Sequence, residues 1–162
     1  MTLRPWVVAL LLPLAACASP DPAKELKVSE VEAYWSIDSS TGDTVYVAPV
    51  LRFRLDNLSA TASIEATASF KRKGEDASWG SAWQRLSVPG KRLDPGRSQT
   101  VALKSDGRYF TTGAPESVFA HAEFKDATVE LFLRVGSSAW VKLASADVER
   151  RIGSRSLQAP AP

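Results

Sequence analysis

Between residues 26 and 153, apolar and polar side chains repeatedly alternate in steps of two, the pattern of strands with one face buried and the other in water. It is clearest from Val45 to Asp56, where Val45, Val47, Leu51, Phe53 and Leu55 share a face and Arg52 and Arg54 point the other way. Ile64, Ala66, Ala68 and Phe70 repeat it against Glu65, Thr67, Ser69 and Lys71. Val129, Leu131, Leu133 and Val135 repeat it against Glu130 and Arg134. Weaker strands are predicted over 26–37, 83–88, 99–104 and 139–147, which brings the total to seven.

Turn chemistry separates these strands. Residues 38–43, DSSTGD, should close the first hairpin, and Lys73-Gly74-Glu75-Asp76 breaks the chain after the third strand. Pro89-Gly90 and Pro95-Gly96 punctuate the middle, and Gly136-Ser137-Ser138 should join the last two strands as a short hairpin. Residues 115–124 are the one helical stretch, with Pro115 suited to a first helical position and Val118 and Ala122 four residues apart. Seven short strands with frequent turns predict an all-β fold. The expected form is an antiparallel two-sheet sandwich of immunoglobulin-like type with one short helical crossover; a small antiparallel barrel is the rival.

Composition agrees with a single domain. The chain has 162 residues, 44% apolar and 23% charged, which excludes collagen-like, disordered and polytopic membrane classes. The start of the chain is different in kind. Arg4 precedes an apolar run from Trp6 to Ala16, and small residues lead to Cys17, the layout of a secretory signal. The run is too short to span a bilayer, which takes about 20 residues.

Cys17 is the only cysteine. Leu14-Ala15-Ala16-Cys17 resembles the lipobox of bacterial lipoproteins. That resemblance implies cleavage of residues 1–16, acylation of Cys17 and attachment to a membrane through the lipid; Ala18, where an aspartate would favour the inner membrane, points to the outer one. Residues 17–25 then form the lipidated terminus and a tether, 26–153 the domain, and 154–162, SRSLQAPAP, a disordered tail. Two further runs, residues 51–59 and 93–103, resemble the strand-and-turn corners of immunoglobulin-like domains in small envelope accessory lipoproteins, a group that is mostly non-enzymatic.

Removing residues 1–16 takes away Arg4 alone of 20 basic residues, leaving 19 against 18 acidic ones. So balanced a charge gives no long-range steering toward nucleic acid, and export argues the same way.

Little in the mature chain marks a reaction. His121 is the only histidine, no Gly-x-Ser-x-Gly elbow accompanies it, and it reads as structural. No zinc set is present, and Asp38, Ser40 and Asp43 do not match a calcium loop. No catalytic residue, metal site or cofactor is expected apart from the covalent lipid on Cys17. Asn57-Leu58-Ser59 matches a glycosylation sequon, but a lipobox implies a bacterium, where that modification is uncommon.

The candidate binding residues are Trp79 and Trp83, in a polar stretch, together with Lys71, Arg72 and Lys73 of the basic run just before it. Tryptophans at a rim stack on sugars or anchor a protein partner. The expected function is a membrane-anchored envelope lipoprotein acting as a non-catalytic binding or accessory module for an envelope protein or cell-wall partner. A small lipid-anchored hydrolase or carbohydrate-active enzyme, and a structural subunit of an envelope assembly, are the alternatives.

Overall fold

The computed structural model describes residues 19–86 and 93–153. The signal segment, Cys17 and the 154–162 tail lie outside them. A single turn of helix, α1 (Pro22–Glu25), precedes nine strands: β1 (Leu26–Thr41), β2 (Thr44–Asn57), β3 (Ile64–Arg72), β4 (Ser78–Arg85), β5 (Ser98–Lys104), β6 (Tyr109–Thr112), β7 (Ala127–Val135), β8 (Val141–Asp147) and β9 (Glu149–Gly153). A 3₁₀ segment, Pro115–Ala120, lies between β6 and β7.

The strands form an all-β, two-sheet sandwich. One sheet runs β5-β2-β1-β9, with β6 also on β2, and the other runs β4-β3-β7-β8. The chain crosses between sheets after β2, returns after β4, and crosses again after β6, the Greek-key path of immunoglobulin-like folds. All pairings are antiparallel except β1 with β9, which is parallel.

The two-residue alternation explains the core. Along β7 the burial follows it without exception, Val129, Leu131, Leu133 and Val135 being fully enclosed and the residues between them half-buried. Ile64, Ala66, Ala68 and Phe70 of β3 meet them from the same sheet, and Leu51, Phe53 and Leu55 of β2 face them from the other. Each fully buried large apolar side chain stabilises the fold by roughly 1.5–3 kcal/mol relative to exposure.

Four expectations change. The sandwich has nine strands, because Tyr109–Thr112 and Glu149–Gly153 also pair. Both are short, and neither carries an apolar alternation of its own, so backbone pairing to long neighbours forms them. The fourth strand lies earlier than 83–88, at Ser78–Arg85, since the serines and Gly80 find backbone partners on β3. The helical stretch is 3₁₀ and stops at Ala120.

The fourth change concerns the tether. Residues 22–25 are helical and packed, with Pro22 buried, so the folded domain begins about four residues before Leu26. At this same end Asn57 is 1% exposed and fully used. Its Nδ2 donates to Ala60 O (2.8 Å) and Leu93 O (2.6 Å), and its Oδ1 accepts from Ala60 N (2.8 Å). The sequon asparagine is thus a structural corner, with no free amide to modify.

Candidate functional site

Trp79 and Trp83 lie in one strand, yet the structure does not bring them together. In β4, Ser78 pairs with Lys71 and Gly80 with Phe70, leaving Trp79 as an extra residue in a β-bulge. A bulge re-aims a side chain. Here it puts both Trp79 and Gly80 on the core side, while Ser81 and Trp83 stay outside opposite Ser69 and Thr67. The loop 105–107 fits against the bulge: a Cβ at Gly80 would meet the Gly107 backbone at 2.7 and 2.9 Å. Asp106 seals the contact, its N–H donating to Ser81 O (3.0 Å) and its Oδ1 accepting from Ser81 N (2.6 Å).

Trp79 therefore joins an internal aromatic cluster. Its ring centroid is 4.9 Å from Tyr109 and 6.1 Å from Trp35. Phe119 and Phe124, delivered by the 3₁₀ crossover, complete the group at 6.4 and 5.2 Å from Trp35. Arg72 lies over Trp79 (4.9 Å) and Tyr109 (5.3 Å) as a cation on aromatic faces. Trp35 Nε1 and Arg72 Nε are buried without a hydrogen-bond partner, so contact with the rings is what holds the cluster.

The basic run does not act as a unit. Lys71 points outward to Glu130 (2.9 Å), Arg72 turns to the cluster, and Lys73 is exposed beside a shallow depression lined also by Asp126, Asp147 and Arg150. Lys71 and Arg72 are successive strand residues and so face opposite sides, and Lys73 lies in the turn past the end of β3. In the depression Arg150 holds Asp126 through two hydrogen bonds (2.6 and 2.9 Å) and keeps its carboxyl below the ordinary range.

Trp83 is 58% exposed on the outer face of the four-stranded sheet. Beside it lies a row of side chains crossing three strands. Glu65, at the centre, is 3% exposed although it points away from the core. Its Oε1 accepts from Arg85 Nε (3.1 Å) and Nη2 (2.9 Å), and its Oε2 accepts from Arg134 Nε (2.8 Å). Burial alone would raise the Glu65 carboxyl, but the hydrogen bonds from Arg134 and Arg85 override it and hold the group low.

Each arginine then touches a tryptophan. Arg85 lies 6.0 Å from the Trp83 ring, and Arg134 lies 4.7 Å from Trp140, itself 37% exposed. One row along, Trp83 and the half-buried Phe132 flank Thr67, about 10 Å apart at two strand spacings. In the third row Glu130 pairs with Lys71 and with Lys142 (3.2 Å). The result is a face on which aromatic and guanidinium groups lie side by side across neighbouring strands.

Sequence reasoning missed Glu65, Arg85, Arg134 and Trp140 as parts of this face. The cross-strand register that aligns them arises from three separate segments. A smaller group, the half-buried Tyr46 and the 64% exposed Phe110 with Arg108 over Tyr46 (4.7 Å), lies on the outside of the other sheet. His121 is exposed, its Nδ1 accepting from Glu123 N (3.2 Å). Among the described residues no group of three His, Cys, Asp or Glu is placed to hold a metal ion. None of the described helices is long and apolar enough to cross a membrane.

No protein-family model matches the chain, and no curated protein does. Two solved structures share parts of its shape. A Northeast Structural Genomics Consortium target, SoR45, superposes with a TM-score of 0.41 at 10% identity, covering 88% of this chain and 97% of its own. A protein from Archaeoglobus fulgidus superposes with a TM-score of 0.38 at 11% identity, covering 75% of this chain and 94% of its own.

Proposed function

We propose that this protein is a lipoprotein of the bacterial cell envelope, held in the outer membrane by acylated Cys17, and that its sandwich is a non-catalytic binding module. The partner is an envelope protein, and the contact surface is the outer face of β4-β3-β7-β8. One observation carries the reading: Trp83 is 58% exposed beside an arginine already fixed in place by a buried carboxylate.

Tryptophan and arginine dominate the energetics of protein interfaces. Arg85 and Arg134 are ordered before any partner arrives, so less side-chain entropy is lost on binding. Exposed rings and guanidinium groups spread over several strands suit a protein surface, whereas small-molecule sites are concave. Lipid attachment through Cys17 supplies location, two or more acyl chains being needed for a stable anchor.

The test is in-cell crosslinking and pull-down of the tagged, lipidated chain, with Cys17→Ala and Trp83→Ala beside it. One dominant envelope protein, lost with either substitution, supports the reading. Enrichment of cell-wall glycan instead, or a partner retained by Trp83→Ala, overturns it.

A further inference from the structure

The domain is fixed to the chain almost immediately after the proposed lipid. Asp21 caps α1, its side chain accepting from Ala23 N (3.1 Å) and its carbonyl from Lys24 N (3.0 Å) and Glu25 N (3.1 Å). Glu25 O in turn accepts from Leu58 N (2.9 Å) and Ser59 N (3.3 Å). Only Ala18, Ser19 and Pro20 separate Cys17 from this anchored turn. Four residue steps reach at most about 14 Å.

The loops around α1 identify what lies within that reach. The start of β1 pairs with the end of β2, and the start of β3 with the end of β7, so α1, loop 58–63 and loop 136–140 share one end of the sandwich. Gly136 N donates to Ser63 O (2.8 Å), tying the two loops together. Leu58 and Trp140, two of the exposed large apolar side chains, are at this end, 53% and 37% exposed.

Resting on the lipoprotein reading, we propose that this end of the sandwich lies against the bilayer surface, with Leu58 and Trp140 entering the interface. The length of the leash is the argument, since acyl chains in the membrane leave no room for the α1 end to stand away from it. Tryptophan rings settle at headgroup depth, as the exposed Trp140 would. The contact rests on the two exposed apolar side chains, Leu58 and Trp140. The β3–β4 turn at residues 73–77 points away, about 30 Å along a nine-residue strand. The Trp83 face then stands upright on the membrane, where a partner in the same membrane meets it.

Acylation consumes the only native thiol, so a single new cysteine takes an environment-sensitive fluorophore uniquely. Leu58→Cys, Trp140→Cys and Asp76→Cys are labelled in the full lipidated chain. They are then reconstituted in phosphatidylethanolamine and phosphatidylglycerol vesicles containing brominated lipid. The expected result is blue-shifted, quenched emission from positions 58 and 140 and unshifted emission from 76. Water-like emission from 58 and 140 on acylated, vesicle-bound protein overturns the inference and leaves the lipoprotein reading standing. Intact mass without acyl groups on Cys17 overturns both.

Discussion

The two sides of the four-stranded sheet use the same pair of residue types to opposite ends. On the inside, Arg72 lies over Trp79 and Tyr109, whose rings pack with Trp35, and Tyr109 also with Phe124. On the outside, Arg85 and Arg134 lie against Trp83 and Trp140, with Glu65 between them. The inner group leaves two buried donors, Trp35 Nε1 and Arg72 Nε, without a hydrogen-bond partner; the outer group pairs its arginines with Glu65 and leaves its rings partly exposed. Enclosure by aromatic rings stabilises the fold, whereas the ordered side chains left open are what the proposed contact surface would use.

The contrast breaks most sharply at its centre. Trp35→Ala removes a fully buried ring touching four others and should destabilise the domain by about 3–5 kcal/mol, read by denaturant unfolding. Trp79→Ala, at a half-buried position, should cost about 2–3 kcal/mol. A negligible cost would return Trp79 to the list of contact residues. Gly80→Ala forces a Cβ into the Gly107 backbone and should cost about 1–3 kcal/mol, lowering Tm without touching any exposed ring.

Effects on the outer face should be smaller. Glu65→Gln leaves two arginines without their charge partner. It should cost about 1–2 kcal/mol, and because it also unpins Arg85 it should weaken partner capture. The pH dependence has a definite sign. Carboxyls held low in the fold, Glu65 by Arg134 and Arg85, Glu130 by Lys71 and Lys142 and Asp38 by Lys104, contribute stability that is present above the unfolded carboxylate pKa, about 4. It is lost as pH falls through their folded values, so an acid titration of Tm should fall there, less steeply in Glu65→Gln. Trp83→Ala should leave Tm nearly unchanged and abolish capture.

Much of the fold could be read in the sequence because the period-two alternation holds along all of β7, from Ala66 to Phe70 in β3 and from Leu51 to Leu55 in β2. Tyr109–Thr112 and Glu149–Gly153 escaped because neighbours, not their own patterns, make them strands. The site was legible only in part. Trp83 is exposed as a rim residue should be, but Trp79 was grouped with it because a one-residue bulge, invisible in the sequence, reverses which face a side chain takes. The cations of residues 71–73 looked like a patch for the same reason, as adjacency along a strand is opposition in space. Glu65 looked like any outward residue of an alternating strand, and its role depends on arginines 20 and 69 residues away.

The most direct test of the account compares the two exposed aromatic patches. A photocrosslinking amino acid is placed at Thr67, between Trp83 and Phe132, or at Phe110 on the opposite sheet, in the lipidated chain in cells. The account predicts one defined protein adduct from position 67 and none from position 110. An adduct from 110 alone, or none from either, would contradict it.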